Sequence, residues 1–385
     1  LKLLLQSDGY LNQFPVWFRW NNKNAYSIAA LLPLVDARLV GEPKPGIMLY
    51  SFATAQAEEI YKEISDADAG GVDAIYIAGG PHPSAMPEEV LEYFDYVILG
   101  EGEDTLPKLI KAIARGVDPG GVQGIAYSEN GRVIFTGRRE PIDLDLYPPF
   151  GKILAPIEIS RGCPWKCAYC QTSRLFGCKM RHRSIANIAK YARRHKDIRL
   201  TSPNSLAYGS DGRAPRLDKV ESLLRSLSEL KRPIYFGTFP SEVRPEFISH
   251  ESLELITTYC ANKTLSIGGQ SGSPDVLRAI GRGHGVEQVE EACDLCREHR
   301  LIPQVDLIFG LPMESSEDQM ATLDLAKRIV RDGGRIRAHY FMPLPGTPLA
   351  TALPSTLAEG VEAELGQMAL EGRLTGSWNV RGRTA

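Results

Sequence analysis

The stretch Arg161-Gly162-Cys163-Pro164-Trp165-Lys166-Cys167-Ala168-Tyr169-Cys170 holds three cysteines, spaced by three and then two intervening residues. It directly follows Ile157–Ser160, a short apolar run that reads as a strand, and Gly162 and Pro164 make it a loop. Three thiolates from one loop can hold three irons of a [4Fe–4S] cluster and leave the fourth iron open, whereas four would close it. Zinc usually takes four ligands, and no second Cys or His pair stands nearby at suitable spacing. Three buried structural cysteines are the remaining alternative.

Outward from this loop, the C-terminal half alternates strand and helix. Ile157–Ser160, Ile198–Thr201, Ile234–Gly237, Thr264–Gly268, Gln304–Phe309 and Arg337–Met342 read as six strands. Helical spacing lies between them at Ile185–Arg194, Lys219–Leu230, Glu251–Tyr259, Val286–His299 and Asp318–Asp332. Six β/α steps predict a partial (β/α)6 barrel over 153–350, with its chemistry at the C-terminal mouth. Residues 351–385 read as a Pro-broken, weakly helical extension. In the N-terminal half, Leu1–Leu5, Ile47–Phe52, Ala74–Ala78 and Tyr96–Leu99 read as buried parallel strands. They alternate with helices at Ala25–Ala37, Ala55–Ala69, Glu88–Phe94 and Thr105–Ala114. That predicts an α/β, doubly wound, Rossmann-like domain over 1–135 that binds its ligand at the strand carboxyl ends. Asn130-Gly131 signals a hairpin between Ile125–Ser128 and Val133–Thr136, and the Pro-rich 136–152 reads as a linker.

Composition sets the outer bounds. Among 385 residues, 44 Lys and Arg against 47 Asp and Glu leave a net charge of −3, which gives no reason to expect nucleic acid or an acidic membrane. With 43% hydrophobic and 24% charged residues the chain suits a packed globule and not a disordered one. No apolar run approaches the ~18 residues of a membrane span. Leu1–Leu5 lacks the features of a signal peptide, and a chain that opens without Met is expected to have sequence upstream. Seven cysteines, an odd number in a long chain, argue against a disulfide framework and for a reducing, cytoplasmic setting. Cys293 and Cys296 form a CxxC on one helical face without a second pair and read as buried thiols, and Cys178 and Cys260 read as structural.

The cysteine spacing, placed after the first strand of a β/α repeat, resembles the signature of the radical SAM superfamily. The resemblance implies a [4Fe–4S] cluster on Cys163, Cys167 and Cys170 whose open iron chelates S-adenosylmethionine, which an electron cleaves to methionine and a 5′-deoxyadenosyl radical. Tyr169 holds the motif's aromatic position, where the family places adenine. Ile267-Gly268-Gly269-Gln270-Ser271-Gly272-Ser273 resembles the fourth-strand loop near the ribose. Asp306-Leu307-Ile308-Phe309-Gly310-Leu311-Pro312 and Phe341-Met342-Pro343-Leu344-Pro345-Gly346-Thr347-Pro348 resemble the fifth- and sixth-strand ends. The family's Gly-Gly-Glu is replaced by Thr201-Ser202-Pro203-Asn204, which leaves Ser202 and Asn204 to meet the methionine amino group. Glu242 and Arg244, after the third strand, are further candidates for this pocket.

Two Gly-rich strand ends precede the barrel: Ala78-Gly79-Gly80-Pro81-His82-Pro83-Ser84 and Leu99-Gly100-Glu101-Gly102-Glu103-Asp104-Thr105. Glycines there let a backbone approach a ligand closely. Together with the barrel they resemble the cobalamin-binding domain of B12-dependent radical SAM enzymes, and the resemblance covers nearly the whole chain. It implies cobalamin contacts from Gly79, Gly80, Pro81, His82, Gly100, Glu101, Gly102 and Glu103. No histidine carries Asp two positions before it, as the lower-face motif Asp-x-His-x-x-Gly requires. The expectation is therefore base-off cobalamin with no histidine ligand, and His82 contacting the cofactor or shaping the loop.

The function these resemblances imply is C-methylation. The radical takes hydrogen from an unactivated carbon, methylcobalamin supplies the methyl group, and a second S-adenosylmethionine recharges the cobalamin. The substrate is expected to be a peptide, a protein or a small molecule, and the electron donor a ferredoxin or flavodoxin. The chain resembles archaeal B12-binding radical SAM proteins in particular, among which is a glutamine C-methyltransferase that modifies methyl-coenzyme M reductase. The alternative is a B12-dependent radical SAM enzyme that cyclises or contracts rings without net methyl transfer. Tyr208-Gly209-Ser210-Asp211 also resembles a radical SAM methylthiotransferase pattern, but those proteins carry a second cluster on N-terminal cysteines and positions 1–162 hold none. A cobalamin or Fe–S carrier module would have no need of the barrel.

Overall fold

The computed structural model describes residues 15–379, and the chain forms two compact units that divide between Ala155 and Pro156. In the first unit the strands are β1 (Val16–Arg19), β2 (Ala37–Val40), β3 (Gly46–Ser51), β4 (Ala74–Gly79), β5 (Tyr96–Ile98), β6 (Ile125–Glu129) and β7 (Arg132–Phe135), in the sheet order β2-β1-β3-β4-β5-β6-β7. The first five run parallel, and β6 and β7 are antiparallel. Strand β3 shows why its sequence is an unbroken apolar run. Ile47 and Leu49 pack into one buried cluster with Ile28, Leu109 and Ile113, while Met48 and Tyr50 pack on the other face with Ile60, Ile64 and Phe94. Both faces are covered by helices, as parallel sheets require.

Several sequence expectations are refined here. The expected strand Leu1–Leu5 lies outside the described residues. Strands β1 and β2 had no counterpart in the sequence reading, and the helix expected over Ala25–Ala37 is Ala25–Leu31 with one 3-10 turn before β2. The β6–β7 hairpin turns at Asn130-Gly131, both with positive φ (51° and 73°), as a type I′ turn demands. The segment 136–152 is not a free linker: Ile142, Leu144 and Phe150 are buried, and the Ile142 N–H donates to Glu101 Oε2 at 2.9 Å.

In the second unit, β8 (Ile157–Glu158), β11 (Ile198–Thr201) and β12 (Ile234–Tyr235) form one parallel set; β9 (Ser160–Arg161) and β10 (Arg181–His182) form an antiparallel pair between β8 and β11 in the chain. The strands β13 (Thr264–Gln270), β14 (Ile302–Phe309), β15 (Arg335–Tyr340) and β16 (Leu374–Ser377) form the other parallel set. A parallel bridge between Val243 and Ile267 carries the segment after β12 onto β13, so the strand succession of a partial barrel is continuous. Its helices are amphipathic: Leu217–Ser228 buries Val220, Leu223, Leu224 and Leu227, spaced along one face. The C-terminal segment departs from the expected extension. Its helix Val361–Leu370 and strand β16 complete the sheet as a seventh parallel strand beside β15. Among the described residues no helix is long and apolar enough to cross a membrane.

Candidate active site at the barrel mouth

The cysteine loop is held at both ends. The β9–β10 pair closes the segment 162–180 into a hairpin, with Arg181 opposite Arg161 and His182 opposite Ser160. Within it the Cys163 N–H donates to Gly177 O at 3.1 Å, and the Ala168 N–H to Ile280 O at 2.9 Å. Trp165 Nε1 donates to Gly212 O at 2.9 Å, and the Arg244 guanidinium lies 3.8 Å over the Trp165 ring. So anchored, Cys163, Cys167 and Cys170 all line one cavity of about 510 Å³.

The same cavity takes residues from the carboxyl ends of successive strands: Ser202 and Asn204 after β11, Glu242 and Arg244 after β12, Gln270 at the end of β13, Asp306 on β14, and Arg337 on β15. This is the mouth at which barrel proteins place their chemistry. Phe239, Ile308, Phe341, Met342 and Leu344 supply apolar wall, and Phe239 is strongly exposed with Arg337 4.7 Å over its ring.

Charge is concentrated at the base. Burial pushes the Cys163 thiol up to about 11, the neighbouring Cys170 and Cys167 adding to the rise. Burial likewise raises Cys170, opposed by the Thr172 hydroxyl and N–H. Burial raises the Glu242 carboxyl against the pull of Arg282, Arg337 and Arg244. It takes Asp306 to about 7, with Glu242 adding to the rise and Arg337 opposing it. Arg337 Nε stands 2.9 Å from Asp306 Oδ1, without the angle of a hydrogen bond. Asn204 is 4% exposed; its Oδ1 accepts from the Arg244 N–H at 3.4 Å while its Nδ2 has no partner. An unpartnered buried amide facing a cavity is a donor available to a ligand.

The remaining expected residues divide. Tyr169 lines the cavity and its hydroxyl accepts from Arg282 Nη1 at 3.3 Å. Ser202 also lines it, but its hydroxyl donates to Asn204 O at 3.0 Å and so shapes the turn. Ser271 is fully buried outside the cavity lining, on Thr322 Oγ1 and the Ser273 N–H. Arg282 and Ser241 escaped the sequence reading. Arg282 sits in the turn between helices Pro274–Ala279 and Val286–Glu298, where only its glycine-flanked neighbourhood set it apart. Ser241 Oγ donates to Ser202 O at 2.9 Å and accepts from the Ser202 N–H at 3.2 Å. Cys293 and Cys296 are buried thiols with raised pKa, as expected, and burial pushes Cys260 up to about 12; Cys178 is exposed.

In the first unit, both Gly-rich loops stand at strand carboxyl ends, Gly79–Ser84 after β4 and Leu99–Asp104 after β5. The Gly100 N–H donates to Ser84 Oγ at 2.9 Å, which ties the two loops together. Gly102 O accepts from the Leu106 N–H and begins the helix Thr105–Ala114, and Glu103 is buried. His82 follows Pro81 in a short helix and is 4% exposed. Its Nε2 lies 2.9 Å from Tyr61 Oη and 3.3 Å from Glu89 Oε1, and its Nδ1 3.2 Å from Thr54 Oγ1. Burial lowers its pKa, against the pull of Glu89. Both ring nitrogens are thus engaged within the loop.

Among the described residues no three His, Cys, Asp or Glu side chains gather around a single ion position. A cubane cluster makes a different demand, because each thiolate binds its own iron and the ligands stand wider than those sharing one ion.

Residues 157–326 match the family model of the radical SAM superfamily, and residues 35–110 match that of the B12 binding domain. An uncharacterised methyltransferase of Pyrococcus horikoshii is 25% identical over 343 residues, covering 81% of this chain and 70% of its own length. The bacteriochlorophyllide d C-12(1)-methyltransferase of Chlorobaculum tepidum is 24% identical over 302 residues, covering 77% of this chain and 63% of its own. Among solved structures, the radical S-adenosylmethionine methyltransferase TsrM of Kitasatospora setae, with cobalamin and a [4Fe–4S] cluster bound, superposes with a TM-score of 0.66 at 17% identity, covering 88% of this chain and 77% of that one.

Proposed function

We propose that the chain is a cobalamin-dependent radical SAM methyltransferase acting on an unactivated carbon, a reading supported by the match of residues 157–326 to the radical SAM superfamily and of residues 35–110 to the B12 binding domain, and by a relative named as a methyltransferase. The observation that carries this reading is the convergence of three thiols, two carboxyls with raised pKa and an unpartnered amide on one cavity at the barrel mouth, in a chain whose residues 35–110 match the B12 binding domain.

Cys163, Cys167 and Cys170 would hold the [4Fe–4S] cluster, and their donor set fits it: three thiols, no fourth, facing a cavity with room for a further ligand. With S-adenosylmethionine bound, the cluster supplies a 5′-deoxyadenosyl radical, and cobalamin supplies the methyl group. The chain's own residues bind and orient. Glu242 and Asp306 present acceptors for an ammonium group, and Asn204 Nδ2 presents a donor for a carboxylate. Arg244 and Arg337 keep the buried carboxyls compensated. Tyr169 and the apolar wall shield the reacting region from water. In the first unit, Gly79, Gly80, Pro81, Gly100, Glu101, Gly102 and Glu103 are the proposed cobalamin loops. His82 is committed to Tyr61, Glu89 and Thr54, which favours a base-off cofactor without a histidine ligand.

The test is product counting under anaerobic conditions with a one-electron donor such as flavodoxin. Each methylation should yield one S-adenosylhomocysteine and one 5′-deoxyadenosine. Substrate deuterated at the target carbon should pass its label to the latter. Candidate substrates include a peptide carrying the glutamine of methyl-coenzyme M reductase. Full methylation without cobalamin would overturn the reading, and 5′-deoxyadenosine without S-adenosylhomocysteine would favour cyclisation or ring contraction.

A further inference from the structure

The segment following helix Pro274–Ala279 clasps the cysteine loop at successive residues. Ile280 O accepts from the Ala168 N–H, and Gly281 O lies 3.8 Å from Cys167 Sγ. Gly283 lies flat on the Trp165 ring, where a Cβ would stand 2.6 Å from a ring carbon. Between them Arg282 is 4% exposed, and its guanidinium is fully directed. Nη2 donates to Gly268 O at 2.6 Å, Nε to His284 Nε2 at 3.1 Å, and Nη1 to Tyr169 Oη at 3.3 Å and Cys167 Sγ at 3.7 Å. His284 accepts as a neutral ring: burial and then the Arg282 charge push its pKa down to about 3, and its Nδ1 is left for Gly285 O. Two arms of the fork are thus fixed to the end of β13 and to the turn, and the third delivers a cation to the sulfur.

We propose that Arg282 is a positioning residue for the cluster, which holds a charge-assisted hydrogen bond on Cys167 Sγ and thereby sets how readily the cluster is reduced. The inference rests on the cluster assignment above and goes beyond it. Reduction is a one-electron step from an external donor: the cluster passes from the 2+ to the 1+ level, and no bond or proton moves. The added negative charge spreads over the iron-bound thiolates. A buried cation against one of them stabilises the reduced form more than the oxidised one, and hydrogen bonds to cluster sulfurs raise the potential. Lysine would keep the charge but not the fork, since a compact ammonium cannot hold Gly268 O and His284 and also reach the sulfur along fixed directions.

The experiment is an anaerobic redox titration, followed by EPR, of reconstituted full-length protein, alongside R282Q and R282K, with iron and sulfide counted for each. R282Q should load the cluster but shift its midpoint negative by at least ~59 mV, a tenfold smaller reduced-to-oxidised ratio at a fixed potential. R282K should shift by less. Either variant loaded to wild-type iron with an unchanged midpoint overturns the proposal. So does loss of the cluster from both variants in a folded chain, which would make Arg282 a clasp only. Wild-type protein that takes up no cluster would instead remove the proposed function itself, a failure visible before any variant is made.

Discussion

Gly281 and Gly283 lie two residues apart in the clasp on the cysteine loop, and replacing each with Ala separates two physical costs. Both have left-handed backbones, with φ of 69° and 76°, so Ala costs about 1–2 kcal/mol at either position. A Cβ on Gly281 meets nothing within 4 Å, whereas one on Gly283 falls 2.6 Å from Trp165 Cζ3. The indole cannot swing away freely, because Nε1 is bonded to Gly212 O and Arg244 covers its face. Overpacking of this kind adds about 1–3 kcal/mol. In a unit of about 230 residues each kcal/mol moves Tm by ~2–4 °C. Gly281→Ala should therefore lower Tm by ~2–8 °C and Gly283→Ala by ~2–12 °C more, in thermal scans of iron-free protein. Gly283→Ala should also bind less iron on reconstitution, since the Trp165 position fixes the loop between Cys163 and Cys167. Equal Tm losses for the two variants would refute the packing argument.

Further outcomes follow from other residues. Cys163→Ala, Cys167→Ala and Cys170→Ala should each abolish the roughly four irons per chain and the absorbance near 400 nm, whereas Cys293→Ala should keep both; zinc at one per chain without that absorbance would refute the cluster. Protein loaded with cobalamin and reduced to Co(II) should show an EPR signal without nitrogen superhyperfine splitting, and splitting that vanishes in His82→Ala would refute the engaged-ring reading. Burial pushes the Glu314 carboxyl up to about 8, against the Gly310 and Leu311 N–H groups that donate to its Oε2 at 2.7 and 3.0 Å. A raised carboxyl means the folded state keeps a proton that the unfolded chain releases near ~4.3. Its stabilising contribution is therefore full below that value and is lost as pH rises through about 8. Glu314→Gln should flatten the decline of denaturant midpoint across this window, and an unchanged slope would refute the assignment.

The architecture was legible where periodicity and burial agree. The six expected barrel strands coincide with β8, β11, β12, β13, β14 and β15 because each carries a turn-bounded apolar run or, in β15, an alternation that buries Ile336 and Ala338, and Asn130-Gly131 favours the tight hairpin it makes. Strands β1, β2 and β16 were not legible. The β2 residues Arg38 and Leu39 are exposed, and in β16 Thr375, Gly376 and Ser377 are exposed, so neither strand carries a buried alternation to read. They form at sheet edges through backbone pairing with a neighbour that is already in place, which is a tertiary effect. The segment 136–152 misled for a related reason: its prolines and charges suggest a linker, while its three buried apolar residues are too widely spaced to show a period.

The gathering of the three cysteines was legible in the sequence, and the charges around them were not. Three cysteines in one loop carry their chemistry in their spacing, but Arg282 meets Cys167 across 115 positions, and Asp306 meets Arg337 only because β14 and β15 run side by side in register. The sequence offered Glu242 and Arg244 as pocket candidates but gave no sign of which groups they would meet. Folded, Arg244 bonds Glu246 and Arg282 O, while Glu242 lines the cavity. A buried cluster of this kind is weak as a source of stability, since desolvation offsets much of the attraction between its members. Its carboxyls, held toward the neutral form by burial, gain most when a positively charged ligand enters. The same cavity offers an unpartnered donor at Asn204 for the negative end of that ligand. That complementarity suits a zwitterionic amino-acid headgroup such as that of S-adenosylmethionine. It arises from five strand ends brought together by the barrel, which no single stretch of sequence contains.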